Sequence, residues 1–342
     1  MIPRVGVVGT GWWATTAHLP SLRAYDRCEL LAVCDTRRDR AQEVARHFDI
    51  PHVFDDAREL IEAVDAVVVA TPHSTHYAIA LAALRAGRHT LVEKPLALTA
   101  GEAFALVRAA EGSGVGLTVG YTAQHTSPAR FAREVVQSGR IGDPVQVVAE
   151  FSSSTATFFE SSAEPTEPNV PHPRTYATSG LGGGQAHTQL THLVGMMHWV
   201  LADDAAEVFC YMDRRGLAVD VVDAATFRLR GGGLGLAAST GTSVGVPARH
   251  TLRYYGTAGM LEQDMGTART VLYVPGADPV VCECRDGEST YPLEEPARLL
   301  VDLATGQGEN VAPGRWAAAA VAFVEAAHRS AASGLPEDVH AP

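Results

Sequence analysis

Apolar runs and amphipathic segments alternate six times within roughly the first 120 residues, and this alternation restricts the fold more than any other feature of the chain. The apolar runs are continuous rather than alternating, which is typical of strands buried on both faces of a parallel sheet. The segments between them place apolar residues at helical spacing. Strands are expected at 4–9, 29–34, 52–54, 65–71, 89–94 and 115–121, and helices at 14–25, 36–48, 56–63, 74–86 and 100–112. The predicted fold class is therefore α/β, with a doubly wound parallel sheet.

A glycine-rich turn joins the first predicted strand to the first predicted helix. Gly9, Gly11 and Ala14 give the pattern G-x-G-x-x-A, in which the first glycine permits a tight turn and the second lets the backbone approach a pyrophosphate. The N-terminus of the following helix offers free N–H groups to phosphates. Asp35 ends the second strand 24 residues after Gly11, near the spacing of about 20 expected for a ribose-binding carboxylate. The pattern predicts a dinucleotide site in a Rossmann domain, with contacts from Gly9, Gly11, Trp12, Trp13, Ala14, Asp35, Thr36 and Arg37.

Asp35 also bears on which dinucleotide binds. Its carboxylate would accept hydrogen bonds from the ribose hydroxyls of NAD and would repel the 2′-phosphate of NADP. Arg37 and Arg38 follow directly, and an arginine there could instead bind that phosphate. We expect NAD, with NADP as the less favoured alternative. In either case Asp35 could also cap the helix at 36–48.

The pattern changes after Gly142-Asp143-Pro144. The strand segments become longer, and several alternate apolar and polar residues, as in an antiparallel sheet with one open face. They lie at 145–153, 207–214, 221–230, 234–241 and 250–256, with one helix at about 185–201. We predict a Rossmann domain at 1–122 and a C-terminal α+β domain at 123–342, whose last helix at 314–333 returns to the first domain. The proline-containing stretch 160–180 is expected to be a surface loop or lid.

Charge and composition disfavour several classes of function. Asp and Glu number 39 against 27 Lys and Arg, and a formal charge of −12 disfavours nucleic acid as a partner. No run reaches the about 20 apolar residues of a membrane helix, and the first residues lack a signal-peptide pattern. Five cysteines suit a reducing compartment, so a cytoplasmic protein is expected. The histidines show no metal-ligand spacing, and Cys282 and Cys284 are interpreted as strand residues, so no metal site is expected.

Two further motifs lie at predicted strand ends, where the ligand crevice of a doubly wound sheet is expected. Thr71-Pro72 with His76 follows one strand, and Glu93-Lys94-Pro95 follows the next. Together with the glycine turn, they resemble the glucose–fructose oxidoreductase / inositol dehydrogenase (Gfo/Idh/MocA) family. The matching segments come in the family's order: GTGWWA, TPHSTH, LVEKPLALT, VGYTAQHTSP, IGDPVQV, GGGQAHTQLTH, YYGTAGMLEQD and AAHRSA.

The resemblance implies an NAD(P)-dependent dehydrogenase with a Rossmann domain and a C-terminal domain built on an open sheet. That sheet is implied to hold the substrate site and to form the interface of a homodimer or homotetramer. The resemblance also extends the expected cofactor contacts to Thr71, Pro72, His76, Glu93 and Lys94.

Lys94 and His192 are the catalytic residues that the resemblance implies. Oxidation of a secondary alcohol needs a group that takes the hydroxyl proton while hydride leaves the same carbon. A desolvated lysine can hold the developing alkoxide or relay its proton. Histidine titrates near neutral pH and therefore suits a reversible proton transfer. His192 lies eight residues after Gly184, on the helix that follows the glycine run.

One position departs from the family pattern. The family has an acidic residue one turn before the histidine, and this chain has Thr188 there. Thr188 is therefore expected to contact the substrate through its hydroxyl rather than to act as an acid. The other expected substrate contacts are Gln185, Tyr121, Gln124 and His125.

The favoured function is reversible, NAD-dependent oxidation of a secondary hydroxyl of a sugar, cyclitol or amino-sugar derivative. An NADPH-dependent reductase of a keto-sugar is the alternative among enzymes. A non-catalytic NAD(P)-sensing protein is the alternative outside that class, since Thr188 replaces the acid. The carboxylates of Glu160, Glu164 and Glu167 would suit a cationic, aminated substrate if their stretch folded over the site.

Overall fold

The apolar runs of the N-terminal part form a six-stranded parallel sheet. In the computed structural model, which describes residues 2–160 and 173–340, the strands are β1 (Arg4–Val8), β2 (Glu29–Cys34), β3 (His52–Phe54), β4 (Ala66–Val69), β5 (His89–Val92) and β6 (Leu117–Val119). They lie in the order β3-β2-β1-β4-β5-β6, and each neighbouring pair is parallel. The predicted doubly wound parallel sheet is confirmed.

Helices connect the successive strands of this sheet. They are α1 (Leu19–Arg23), α2 (Arg38–His47), α3 (Ala57–Ala63), α4 (His76–Arg85) and α5 (Ala100–Ser113). Side-chain caps set two of their starts, because Asp56 accepts a hydrogen bond from the Arg58 N–H and Thr99 accepts one from the Glu102 N–H. All four residues of β4 are buried, which explains its uninterrupted apolar sequence.

The strand order reverses between β1 and β4. β2 and β3 lie on one side of β1, whereas β4, β5 and β6 lie on the other. Val8 pairs with Val69, so the two strands end together. The ends of two strands at which the order reverses are where doubly wound sheets bind ligands, so the ends of β1 and β4 mark the expected ligand site.

Part of the distal chain belongs to the same compact unit, which comprises the described residues 2–121, 173–175 and 293–318. Helix α9 (Glu295–Ala304) places Ala297, Leu300 and Val301 in the apolar core that contains β1 and β4. This helix was not among the elements predicted from the sequence. The spacing of these three residues at i, i+3 and i+4, with a proline near the helix start, is the signal that could have identified it.

The second compact unit comprises the described residues 122–160, 176–292 and 319–340 and is built on a nine-stranded sheet. Its strands are β7 (Pro144–Ser152), β8 (Ala205–Asp213), β9 (Val222–Leu229), β10 (Leu234–Thr240), β11 (Arg249–Gly256), β12 (Met260–Asp264), β13 (Arg269–Tyr273), β14 (Val280–Glu283) and β15 (Glu337–Asp338). The order is β14-β13-β12-β11-β7-β10-β9-β8-β15. Among these described strands β7 and β10 pair in parallel and the other neighbours are antiparallel, which confirms the predicted, mostly antiparallel sheet.

The two faces of this sheet differ in exposure. In β9, Asp223, Ala225 and Phe227 are buried, whereas Ala224 and Thr226 are exposed. Helices α6 (Ser127–Gln137) and α8 (Thr191–Leu201) pack on the buried face, α6 against β12 and β13 and α8 against β7 and β11. The remaining helices are α7 (Pro173–Ala177) and α10 (Gly314–Ser333). The other face of the sheet is open, as the alternation predicts.

The structure corrects two expectations about the second half of the chain. The surface loop expected at 160–180 falls largely on residues 161–172, outside the described residues, as do Glu164 and Glu167. The expectation was wrong for 173–177, because α7 forms there and begins at a proline, which is favoured at a first helical position. The strands β12 to β15 were also missed, since runs of two to five residues are too short to show a period.

No helix in the described ranges is both long enough and apolar enough to cross a membrane.

Candidate active site

The glycine turn after β1 has the backbone geometry that close approach of a phosphate requires. Gly9 has a φ of +95°, and a Cβ there would lie 2.5 Å from the carbonyl oxygen of Ala70. Only glycine therefore fits this position. A Cβ at Gly11 would meet no atom within 4 Å, so the backbone at Gly11 borders open space. The turn thus fits the pyrophosphate of a dinucleotide.

Asp35 lies beside this turn and ties it to the start of α2. Its Oδ2 accepts hydrogen bonds from the N–H and the hydroxyl of Thr10, at 2.9 and 2.7 Å, and its Oδ1 accepts one from the Arg37 N–H at 3.0 Å. A carboxylate offers about four acceptor positions, so these bonds leave room for a ribose hydroxyl. Thr36 and Arg37 are exposed next to it. Asp35 is not the N-cap of α2, because Arg37 occupies that position.

A π-helical turn follows each of the two glycine motifs. Ala14–His18 forms the first such turn, just before α1, and Ala186–Leu190 forms the second, just before α8. Turns of this kind are rare in proteins, and those that occur are often found at functional sites. Neither turn was predicted from the sequence, because five residues are too few to distinguish the period of a π-helix from that of an α-helix.

Trp12 and Trp13 precede the first π-helical turn. Their rings meet edge to face with 5.2 Å between the centroids, and both residues are half-buried. Ala14 is fully buried, as expected for the position that allows close packing of helix and strand. The two indoles therefore border the glycine turn, while Ala14 lies inside the unit.

His76 is fully buried and joins the loops that follow β4 and β5. Its Nδ1 lies 2.8 Å from the Pro95 carbonyl oxygen, and its Nε2 lies 2.9 Å from the Thr71 carbonyl oxygen. Burial lowers the pKa of His76, although both carbonyls oppose this change. Thr71 is half-buried and Pro72 is exposed. Of this motif, Thr71 and Pro72 are therefore accessible to a cofactor, whereas His76 supports their loop from within.

Lys94 is the single lysine of the sequence, beside 26 arginines. It lies two residues after the end of β5 and is half-buried. Burial lowers the pKa of the Lys94 amine, and the adjacent carboxylate of Glu93 partly opposes this effect. A lowered pKa favours a lysine that can release and accept a proton, which an arginine at the same position could not do.

Gln185 and Thr188 belong to the second unit, and both side chains are bonded internally. The Gln185 Oε1 accepts a hydrogen bond from the Thr155 hydroxyl at 2.7 Å, and its Nε2 donates to the Ser239 hydroxyl at 2.8 Å. The Thr188 hydroxyl donates to the Gly184 carbonyl at 2.6 Å. Neither residue has exposed surface. In this structure both side chains stabilise the start of the helix that contains His192.

His192 lies on α8 in a row of near-parallel rings. Its ring centroid is 6.3 Å from that of Phe151, at an interplanar angle of 19°. Phe151 in turn stacks on His250 with 3.9 Å between the centroids. His192 is half-buried. The near-parallel packing of Phe151 restricts the orientation of the His192 ring.

Tyr121, Gln124 and His125 follow β6 and are all buried. The Gln124 Oε1 and the His125 Nε2 have no hydrogen-bond partner in the described part of the chain. Burial and the charge of Arg130 lower the pKa of His125 to about 3, so its imidazole is neutral near pH 7. An amide oxygen and an imidazole nitrogen that are buried without a partner are unusual, and substrate hydroxyls, which both donate and accept, are groups that would satisfy them.

A buried carboxyl pair that sequence analysis missed lies at the start of the second π-helical turn. The Asp220 Oδ2 accepts a hydrogen bond from the Ala186 N–H at 2.6 Å, and a Cβ at Gly184 would lie 2.2 Å from the Asp220 Oδ1. Burial and the charge of Asp220 raise the pKa of Asp223 well above its usual range. The pattern A-V-D-V-V-D-A reads only as a strand, so the sequence contained no signal for this pair.

In the described part of the chain no three His, Cys, Asp or Glu side chains are grouped so that they could hold a metal ion. Cys282 lies in β14 and Cys284 just beyond its end, and both thiols are free.

Comparison with known proteins identifies the class of the chain. Residues 3–121 match the model described as an oxidoreductase family with an NAD-binding Rossmann fold. Residues 129–262 match the GFO/IDH/MocA C-terminal domain. The first unit is therefore an NAD-binding Rossmann domain of an oxidoreductase. The chain belongs to the Gfo/Idh/MocA family, as the resemblance predicted.

Similar proteins include several sugar and cyclitol enzymes. Inositol 2-dehydrogenase 1 from Saccharopolyspora erythraea is 29% identical over 357 aligned positions, which cover 99% of this chain and 97% of that protein. 1,5-Anhydro-D-fructose reductase from Ensifer adhaerens is 27% identical, with 86% of this chain and 84% of that protein covered. Other matches are shorter: the chain spans 57% of the myo-inositol 2-dehydrogenase of Thermotoga maritima, at 27% identity over 60% of this chain.

Solved structures share the whole fold. The inositol dehydrogenase homolog complexed with NAD+ from Azotobacter vinelandii superimposes with a TM-score of 0.81 at 21% identity, with 98% of this chain and 97% of that chain covered. Levoglucosan dehydrogenase in complex with NADH and levoglucosan gives a TM-score of 0.81 at 20% identity, with 98% and 99% covered. At these identities the likeness shows the fold.

The Asp220–Asp223 pair predicts a pH dependence of stability. Asp223 keeps a proton in the folded chain that the unfolded chain releases near its ordinary pKa of 3.8. The stabilisation is complete below that pH and is lost as the pH rises toward the raised folded-state pKa. Asp223→Asn has a neutral side chain at every pH. The melting temperature of this variant should therefore fall less between about pH 5 and about pH 8 than the melting temperature of the unchanged protein. Melting temperatures test this, with exposed Asp278→Asn as the control, and equal losses would contradict it.

Proposed function

We propose that the chain is an NAD-dependent dehydrogenase that reversibly oxidises a secondary hydroxyl of a sugar, cyclitol or amino-sugar derivative. The observation that supports it most is the placement of the only lysine, Lys94, half-buried at the strand edge that also bears the NAD-binding turn. Relatives named as inositol, glucoside and glucose-6-phosphate dehydrogenases support a substrate with several hydroxyls.

In this proposal Lys94 and His192 handle the proton of the reacting hydroxyl. A lysine with a lowered pKa can stabilise the developing alkoxide as a cation and can pass on the proton as an amine. His192 accepts or returns a proton from its fixed place beside Phe151. NAD, when bound, supplies the hydride acceptor. Thr188 acts through the helix, because its hydroxyl is bonded to the Gly184 carbonyl.

The Gln124 Oε1 and the His125 Nε2, which have no partner among the described residues, are the proposed contacts to substrate hydroxyls, together with Tyr121. A neutral imidazole accepts a hydrogen bond from a hydroxyl without adding charge to the site. For Gln185 we propose a supporting role, since its amide is bonded to Thr155 and Ser239.

A ketoreductase is the second candidate. The relative from Ensifer adhaerens, named a reductase of 1,5-anhydro-D-fructose, covers most of both chains and supports it. The same proton-transfer residues serve reduction in the reverse direction. Assays with a panel of polyols, cyclitols, amino sugars and their keto forms, followed by NADH and NADPH absorbance, distinguish the two. Cofactor binding without turnover of any compound would instead support a sensing protein.

For the assembled state we propose a homo-oligomer, formed through the open face of the second sheet, in the cytoplasm. Leu234 and Leu236 on β10 lie opposite Gln146 and Val148 on β7, and the two leucines are 52% and 44% exposed. The Arg253–Glu262 pair lies on the neighbouring strands β11 and β12. A surface with both charge signs around an apolar centre is self-complementary across a two-fold axis, so a second copy of this chain is the proposed partner.

If Lys94 transfers a proton, a residue that supplies only a positive charge should not support catalysis in its place. Lys94→Arg keeps the positive charge but cannot release a proton near neutral pH, so its kcat should be at least ~10²-fold lower than that of the unchanged protein. Lys94→Met, which has neither the charge nor the proton, should show an equally large loss of kcat. Dissociation constants for NADH should change by well under tenfold. Exposed Arg85→Lys is the matched control. An active Lys94→Arg would show that only the charge is needed.

A joint role of Lys94 and His192 is tested by combining the substitutions. His192→Ala alone should also lower kcat by about 10²-fold or more. If both residues serve one proton transfer, the double variant should lose far less than the product of the two single losses. Fully multiplicative losses would contradict a shared step.

The carboxylate of Asp35 predicts the cofactor preference. Asp35→Asn removes the charge that repels a 2′-phosphate and keeps a side chain that can bond to Thr10. The ratio of NADPH to NADH dissociation constants should fall by about tenfold, measured by fluorescence titration. Asp39→Asn, in the exposed first turn of α2, is the control. An unchanged ratio would remove Asp35 from cofactor selection.

The proposed interface is tested with a charge in its apolar centre. Leu236→Glu should reduce the mass measured by light scattering or sedimentation to that of a smaller assembly, because burial of an unpaired carboxylate is costly. Exposed Leu335→Glu, elsewhere on the second unit, is the control. A single-copy mass for the unchanged protein would contradict the proposal.

A further inference from the structure

The carboxylate of Glu93 connects two parts of the first unit. Its Oε1 lies 2.8 Å from the Nε2 of His18, and its Oε2 accepts a hydrogen bond from the backbone N–H of Lys94 at 3.2 Å. His18 is the last residue of the first π-helical turn, so this helical segment after the glycine turn is bonded to the peptide that precedes the Lys94 side chain. Both groups are shielded from water, because the side chain of His18 is 1% exposed and that of Glu93 is 11% exposed.

The surroundings of the His18 ring define which atom donates. Its Nδ1 is buried and has no hydrogen-bond partner among the described residues. A neutral histidine has one N–H and one bare nitrogen. A proton on Nε2 satisfies Glu93, and it leaves Nδ1 as the bare acceptor. With the proton on Nε2, His18 donates to the Glu93 Oε1, while the Glu93 Oε2 accepts from the Lys94 N–H.

The chain also makes room for this carboxylate at the end of β6. A Cβ at Gly120 would lie 2.3 Å from the Glu93 Oε1 and 2.6 Å from its Cδ. The Gly120 N–H donates to the Val92 carbonyl at 3.0 Å, so the glycine cannot move away without breaking the sheet edge. The carboxylate is therefore confined between His18, Gly120 and the Lys94 peptide.

The charges that act on the Lys94 amine come from this same group of residues. Glu93 raises the pKa of Lys94 and partly offsets the effect of burial. His76, on the start of α4, also lies within electrostatic range of both Glu93 and Lys94, and burial lowers its pKa. The Glu93 carboxylate thus favours the charged form of the Lys94 amine, and its hydrogen bond to His18 holds it in place.

We propose that His18 is a positioning residue for Lys94. By donating to Glu93 it fixes the position of that carboxylate and therefore the strength of its electrostatic effect on the Lys94 amine. It also connects the carboxylate to the helical segment that follows the glycine turn. The inference rests on the proposed catalytic role of Lys94 only for its effect on turnover. The electrostatic part concerns the protein without substrate.

The single lysine makes a direct measurement available. Protein labelled with 13C at the lysine Cε has one lysine resonance, and its chemical shift followed against pH gives the pKa of Lys94 without a reagent that must reach the amine. His18→Leu removes the donor, so the freed carboxylate should pair with the Lys94 ammonium and raise the pKa of Lys94. His18→Gln can still donate and should restore a value near that of the unchanged protein. His89→Leu is the matched control, because His89 is also a hydrogen-bonded histidine of this unit, accepting from the Gly116 N–H at 3.1 Å.

Two further variants keep the proposal testable if His18→Leu does not fold. Glu93→Gln removes the charge and should lower the pKa of Lys94, the opposite sign to His18→Leu. Gly120→Ala should displace the carboxylate and move the Lys94 resonance as well. An unchanged or lowered pKa of Lys94 in folded His18→Leu, or an unchanged pKa in Glu93→Gln, would overturn the inference.

Turnover separates this inference from the proposed function. The pH profile of kcat should shift in His18→Leu in parallel with the Lys94 titration and should return in His18→Gln. If the Lys94 resonance shifts as expected while Lys94→Met remains active, the catalytic role fails and the positioning role stands. If kcat falls in His18→Leu while the Lys94 pKa stays unchanged, His18 has only a structural role and the inference is overturned.

Discussion

The parallel pairing of β1 with β4 is the constraint on which the candidate site of the first unit depends. The register joins Val8 to Val69, so both strands end at one edge of the sheet. The turn after β1 is consequently so close to the loop after β4 that only glycine fits at Gly9. β5 pairs with β4 in the same direction and brings Lys94 to that edge. Strand direction therefore brings the glycine turn and the lysine to one edge of the sheet.

Burial is the second physical cause of the chemistry proposed here. It lowers the pKa of Lys94, and it lowers the pKa of His125 to about 3. A buried group keeps its charge only where a partner compensates for lost solvation, which is what Glu93 does for Lys94. The chain uses arginine at 26 other positions and lysine only here. That choice agrees with a need for a cation that can also give up its proton.

In the second unit, polar side chains that could contact a ligand are used instead to build the helix start. Thr188 bonds to Gly184, and Gln185 bonds to Thr155 and Ser239. Thr188, at the position where the resemblance led us to expect an acid, therefore completes a π-helical turn. The neighbouring ring of Phe151 restricts the orientation of the His192 ring. The buried carboxylate of Asp220, just before β9, holds the backbone at the start of this turn by accepting from the Ala186 N–H.

The sequence alone was sufficient for the fold class, for NAD as the cofactor and for the family, because strand–helix alternation and glycine spacing are local properties of the chain. It also indicated Lys94 and His192, through the family resemblance. It could not show that His76 and Gln185 lie inside the protein, that α9 joins the first unit, or that Asp220 and Asp223 form a pair. Nor could it show that His18 bonds to Glu93, which is 75 residues away. Those contacts join distant segments, and only the packing of the strands brings such segments within hydrogen-bond distance.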